Sequence, residues 1–148
     1  MSRIGKGTIP IISHTALNNG ISNWTCKIEN RKLFDHRRTI SLADRGNFKA
    51  FVQKQDFYIG TRVKALEVKN TISYYSLIYL ALLIDKQAVK FSYGHNACDN
   101  TENIFIEVPV KNNKIDYDYM ENYIKNRIVK KYHEYIRFLK NKVYYKIV

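Results

Sequence analysis

Along this chain the spacing of apolar residues changes once, near Asn70. Before that point apolar positions come in short runs, often every second residue, as strands require. "TIPIIS" (Thr8–Ser13) is rich in β-branched residues and follows a Gly-Lys-Gly opening that reads as loop. "LNNGIS" contains Asn18-Asn19-Gly20, residue types that tolerate positive φ, so a turn is predicted there. "TISLA" (Thr39–Ala43), the breaker "DRGN" and "FKAFVQ" (Phe48–Gln53) predict a hairpin. In its second arm Phe48, Ala50 and Val52 alternate with Lys49, Phe51 and Gln53. "TRVKALEVK" (Thr61–Lys69) alternates too, and predicts a strand with one basic face.

After Asn70 the period becomes helical. Asn70 or Thr71 is the expected cap of a helix running to about Ala88, with Tyr75, Ile78, Leu82 and Asp85/Lys86 marking successive turns. This helix is apolar almost all round, so it should lie across the sheet as a core element. "ENIFIEVPV" (Glu102–Val110) predicts another strand, with Pro109 confining its end to an edge or a bulge. Past the polar turn "KNNK", a second helix is predicted from Asp116 to about Lys142. Met120, Ile124, Ile128, Tyr132, Ile136 and Leu139 form one stripe of it, while Asp116 and Asp118 suit the positive end of its dipole. The expected class is α+β (mixed α/β): a twisted, largely antiparallel sheet with a core helix, followed by a long C-terminal helix. The expected division is a main domain over 1–112 and a helical segment over 113–148.

Composition narrows the function. At 148 residues, 45% hydrophobic, the chain has the size of one domain with a real core. Twenty-five Lys and Arg against 13 Asp and Glu leave a net charge of +12, a field that attracts polyanions such as nucleic acid. Twelve Tyr and seven Phe add stacking faces and phosphate-contacting hydroxyls, although most aromatics end in cores. Only two Cys occur, and "MSRIGKGTIPII" has no signal-peptide core, so a reducing cytoplasm is expected. The most apolar run, "YYSLIYLALLI" (Tyr74 to Ile84), is shorter than the about 20 residues a membrane span takes.

Candidate chemistry is sparse. His95 and Cys98 stand at i, i+3, but a structural zinc site needs four ligands and no second close pair exists. Glu67-Val68-Lys69, with Asp56 or Asp44 upstream, has the order of an Asp…Glu-x-Lys Mg²⁺-dependent nuclease, in which two carboxylates hold the metal. That is the alternative reading; Glu-x-Lys is equally common surface patterning on strands. Phosphate-binding Gly loops and nucleophile elbows are missing, and so is the Asn/Asp-Pro-Pro-Tyr box of amino-methyltransferases. What remains are polar and basic residues at turns between short strands: "DHRRT" with Arg37 and Arg38, "DRGNFK", "VQKQ", Arg62 and Lys64. Lys and Arg neutralise phosphates, and Arg, Asn and Gln pair with base edges.

Taken in order, "GTIPIISHTALNNGIS", "ISLADRGNFKAFVQKQDFYIGTRVKAL", "KFSYGHN", "IEVPVKNN" and "IDYDYMENYIK" resemble the target-recognition domain of restriction–modification specificity proteins, over roughly Thr8 to Lys125. The relevant types are the type I specificity subunit and the similar domain of type IIB and IIG enzymes. The resemblance implies a non-catalytic module that reads one part of a double-stranded DNA target and needs no cofactor or metal. It directs a partner methyltransferase, and with it a restriction subunit, to that target. The regions it carries over are the turn Thr15–Asn19, the loop Arg45–Lys49 and the loop Tyr93–Asn96. With the basic turns, these give Thr15, Asn18, Asn19, Arg37, Arg38, Arg45, Asn47, Lys49, Tyr93, His95 and Asn96 as DNA-binding candidates. Family domains usually carry a further strand and loop before the "IPIIS" element, and a type I subunit carries two recognition domains. The chain is expected to be a truncated gene product, an excised domain, or a half-subunit able to form a homodimer through the Met120, Ile124, Ile128, Tyr132, Ile136 and Leu139 stripe, which equally offers a helix for a partner subunit.

Overall fold

The computed structural model describes residues 4–43, 48–90 and 104–141. The elements run β1 (Ile4–Ile12), a 3₁₀ turn (Asn18–Gly20), β2 (Ile21–Thr25), β3 (Thr39–Ala43), β4 (Lys49–Val52), β5 (Tyr58–Ile59) and β6 (Val63–Glu67). They continue with α1 (Tyr74–Asp85), a 3₁₀ extension (Lys86–Lys90), β7 (Val110–Lys111), β8 (Lys114–Ile115) and α2 (Tyr117–Lys140). The α+β class is as expected. The strands form two three-stranded sheets, β2-β1-β5 and β4-β3-β6, and a separate β7-β8 hairpin. All these pairings are antiparallel except β1 with β5.

The β3–β4 hairpin follows its alternation. Ile40 pairs with Val52 and Leu42 with Ala50, and all four enter one core with Leu77, Leu80, Ala81 and Ile84 of α1. The opposite face of the same sheet meets a second core, in which Val63 joins Ile12, Phe34 and Phe57. Every residue of β3 is therefore buried, because both of its faces are covered. β6 splits its side chains the same way: Val63 and Ala65 turn to the second core, Leu66 and Val68 to the first. The expected basic face on this strand is not formed. Lys64 is half-buried, and Arg62 precedes the strand at a φ of 60°.

Several local features differ from expectation. β1 runs back through the Gly-Lys-Gly opening because Gly7 lies against the Thr25–Cys26 backbone, where a Cβ would have no room. Ser73 caps α1 in place of Asn70 or Thr71; its Oγ accepts the Ser76 N–H at 3.1 Å. The buried stripe of α1 is Ser76, Leu77, Leu80, Ala81 and Ile84, which leaves Leu82 46% exposed instead of marking a core turn. Residues 104–109 form no ladder with another described segment, although Ile106 and Val108 pack on the core while Phe105 and Glu107 stay out. Their alternation serves packing against one face. The "KNNK" turn is a β7–β8 hairpin in which Asn112 (φ 50°) and Asn113 (φ 57°) adopt the left-handed pair such a turn demands.

Two polar contacts lock α1 in place. At its start, buried Ser76 donates its hydroxyl to the Tyr117 carbonyl at 3.1 Å, joining α1 to the first turn of α2. At its end, Asp85 accepts the Ala50 N–H at 2.7 Å and pairs with Lys49. α2 opens on Asp116, whose carboxylate accepts the Tyr119 N–H at 2.9 Å. Met120 and Ile124 bury themselves, Met120 in the first core, and beyond Ile124 every described residue of the helix is exposed. No described helix is long and apolar enough to cross a membrane. Asp85→Ala removes the acceptor of a half-buried backbone N–H, and is expected to destabilise the fold by about 1–3 kcal/mol in urea denaturation.

Candidate nucleic-acid interface

Those predicted DNA-facing residues that are described fall at two ends of the β3–β4 hairpin. Thr39 and Ala43 are roughly 14 Å apart along β3. Arg37 and Arg38 lead into the first end. Lys49 stands at the other, paired across the ladder with Ala43. Arg45, Asn47, Tyr93, His95 and Asn96 lie outside the described residues, as do Cys98 and Asp44.

The turn 15–20 belongs with the first end. Asn18 and Asn19 both have positive φ (48° and 54°), followed by Gly20 at 78°. A Cβ on Gly20 would come within 3.0 Å of Ile12 and Phe51, so the turn closes tightly onto the sheet. Asn19 donates its amide to the Val52 carbonyl at 2.9 Å and to Gln53 Oε1 at 3.1 Å. Buried Gln53 returns a bond to the Asn19 carbonyl at 2.9 Å. Both Asn19 amide hydrogens thus bond within the fold and hold the turn to the sheet. Asn18 is exposed and makes one long contact, Nδ2 to the Ile21 carbonyl at 3.4 Å. Thr15 Oγ1 accepts the Leu17 N–H at 3.2 Å.

Acidic residues sit among the cations of the first end. Asp35 accepts two bonds from the Arg37 guanidinium, at 3.0 and 2.9 Å, and the Arg37 N–H at 2.9 Å. Those bonds, the side-chain pair first, hold the Asp35 carboxyl down at about 2, from an ordinary 3.8. Asp56 accepts the His36 N–H at 3.1 Å and lies 2.7 Å from His36 Nδ1. Glu67 pairs with Lys32, and its other oxygen lies 3.9 Å from Arg38 Nε. Lys49, at the opposite end, is engaged by Asp85.

These pairings decide the nuclease alternative. Asp56 is committed to His36 and Glu67 to Lys32, two different partners. Among the described residues, the group whose ligand atoms lie within 4.8 Å of one another is Asp35, His36 and Asp56, without Glu67. Arg37 already supplies a positive charge to Asp35, so this trio is satisfied as an ion-pair cluster. The Asp56–Glu67–Lys69 metal site is not supported.

Sequence reasoning missed Asp85 and Gln53 as organisers of this surface. The signal available was weak: a carboxylate ending an apolar helix, and a Gln at a strand's end. Of the predicted partner stripe, Met120 and Ile124 are consumed by the domain's own core, whereas Ile128, Tyr132, Ile136 and Leu139 are exposed.

Two outcomes are expected here. Asn19→Ala should lower stability by about 1–3 kcal/mol because Val52 and Gln53 lose partners, while Asn18→Ala should cost under about 0.5 kcal/mol, both read by chemical denaturation. The contribution of Asp35 is fully present above its ordinary value near 3.8 and is lost as pH falls toward 2. Asp35→Asn should therefore flatten the melting-temperature profile between pH 4 and 2 and leave its shape near pH 7 unchanged.

No solved structure matches the chain. It is 28% identical over 116 residues to "Type II restriction enzyme BgcI specificity subunit S.BcgI" of Heyndrickxia coagulans, a match covering 78% of this chain and 34% of that protein. The chain thus spans about a third of the length of that curated relative. The profile of the type I restriction modification DNA specificity domain matches residues 2–137. That match takes in both sheets, α1 and nearly all of α2, and the chain belongs to the type I restriction–modification DNA specificity domain family, a class of non-catalytic DNA-recognition modules.

Proposed function

We propose that the chain reads a duplex DNA sequence in the cytoplasm on behalf of a restriction–modification enzyme whose methyltransferase and endonuclease functions lie on partner chains. The observation that carries this reading is the family match over residues 2–137; the charge of +12 agrees with it. Lys and Arg side chains hold the phosphate backbone, while Asn18, Arg45, Asn47, His95 and Asn96 contact base edges from the turns, with Thr15 and Tyr93 beside them. Asn19 and Lys49 act indirectly, by fixing the turn and the hairpin from which these residues extend. Segments 44–47 and 91–103 follow the β3 end and the α1 extension, and Asp85 ties that end of α1 to Lys49.

The recognition unit extends to residue 112, and the segment 113–148, which carries α2, docks the partner. Ile128, Tyr132, Ile136 and Leu139 offer the apolar face for a methyltransferase chain or a second copy of this one. Met120 and Ile124 anchor that helix to the recognition unit.

Selection from a pool of randomised duplexes, followed by gel shift at several salt concentrations with and without the partner methyltransferase, tests this. A consensus should emerge, with log affinity falling linearly as log salt rises. Arg45→Ala with Asn47→Ala should erase part of the consensus, each lost base contact costing about 1–3 kcal/mol, while weak general binding persists. Absence of salt-dependent binding in both conditions defeats the proposal.

A further inference from the structure

We infer that Lys32 and Arg38 form a phosphate-binding site that Glu67 occupies in the free protein, the carboxylate standing where a DNA phosphodiester will sit. This inference rests on the DNA-recognition reading and deepens it by naming one backbone contact and its regulation. Glu67 is the last residue of β6 and pairs across the sheet with Thr39, so Arg38 arrives beside it. The arrangement is rigid, since Val68 N–H bonds to the Arg38 carbonyl at 2.8 Å and Lys32 lies over the Phe34 ring at 4.7 Å. The two Glu67 oxygens are divided, one to Lys32 and the other toward Arg38.

That division leaves the site incompletely satisfied. Arg38 Nε is buried, has no hydrogen-bond partner among the described atoms, and lies 3.9 Å from Glu67, beyond bonding distance. Neighbouring Arg37 shows what a satisfied guanidinium makes here, two bonds of 2.9 and 3.0 Å to one carboxylate. A phosphodiester brings two anionic oxygens on a tetrahedral centre and can approach both cations without a strand end limiting its position. The half-exposed surface around the pair leaves room for that approach: the Lys32 side chain is 63% exposed and that of Arg38 37%.

The device acts on selectivity. A carboxylate already holding two cations must yield before any phosphate binds them, so contact with arbitrary duplexes is weakened. At a true target, base contacts elsewhere compensate for the exchange. Glu67 is therefore a specificity-determining residue that touches no base.

Fluorescence anisotropy with a random-sequence duplex, titrated at several salt concentrations, tests this on the full chain. Glu67→Gln should bind about 2- to 5-fold more tightly than the unaltered protein, and its salt dependence should steepen by about 0.9 in log–log slope. The gain should vanish when Lys32→Ala or Arg38→Gln is added to Glu67→Gln, with melting curves confirming that each variant folds. Glu134→Gln, which removes the same charge on α2, should give no comparable gain. Unchanged affinity in Glu67→Gln, a gain that survives loss of Lys32 and Arg38, or an equal gain from Glu134→Gln overturns the inference. Failure of the unaltered protein to show any salt-dependent binding defeats the DNA-recognition reading instead.

Discussion

α1 has almost no polar face, and the rest of the structure is arranged around that constraint. A helix of this kind cannot lie on a sheet with its back to water; it needs cover from two directions. The β4-β3-β6 sheet takes one side, through Ile40, Leu42, Ala50 and Val52 against Leu77, Leu80, Ala81 and Ile84. Met120 of α2 enters the same core, with Tyr79 packed edge-on against Tyr119 and Tyr123. Fully burying a side chain such as Leu77 or Met120 contributes about 1.5–3 kcal/mol, so these contacts outweigh the surface ion pairs as sources of stability. The polar ends are matched as well: Ser76 reaches Tyr117, and Asp85 reaches Ala50 and Lys49.

How much of this could be read from the chain follows from how local each cause is. The β3–β4 hairpin, the Asn18–Gly20 turn and α2 were legible because alternation, positive-φ residues and a long helical stripe are encoded within each segment. The α1 stripe was misplaced, since an all-apolar helix gives its period no contrast and only tertiary packing chooses Leu77 and Leu80 over Ile78 and Leu82. The expected strand at Glu102–Val110 had the right alternation at Ile106 and Val108, but alternation reports a covered face, not a hydrogen-bonded neighbour. The candidate interface was less legible still. Nothing in "LNNG" says that Asn19 turns inward to Gln53 while Asn18 stays out, because that depends on a residue far along the chain. Arg45, Asn47, His95 and Asn96 rest on the sequence and the family alone.

Net charge conceals a local pattern. The chain carries +12 overall, yet the segment from Lys32 to Arg38 meets Asp35, Asp56 and Glu67 side by side with its cations. Ion pairs this exposed contribute little to folding, and salt screens them. Their effect lies in binding: the net charge of the chain steers a polyanion over long range, while contact at these paired cations requires an exchange of partners. A basic module built this way approaches DNA readily and holds an arbitrary site less firmly than its charge suggests.

The two halves of α2 have different physical status. Up to Ile124 it is part of the core, and its direction is set by α1 through Met120 and the Ser76–Tyr117 bond. α1 in turn is tied to the β3–β4 hairpin at Lys49 and Ala50. A displacement of that hairpin must therefore be taken up either by breaking the Asp85 contact or by moving α1, and with it α2. At 24 residues, about 36 Å, the helix is long enough to magnify a small rotation at its base into a translation at Leu139. Core packing at one end and an exposed apolar face at the other tie the position of Ile128, Tyr132 and Ile136 to the hairpin at Lys49 and Ala50.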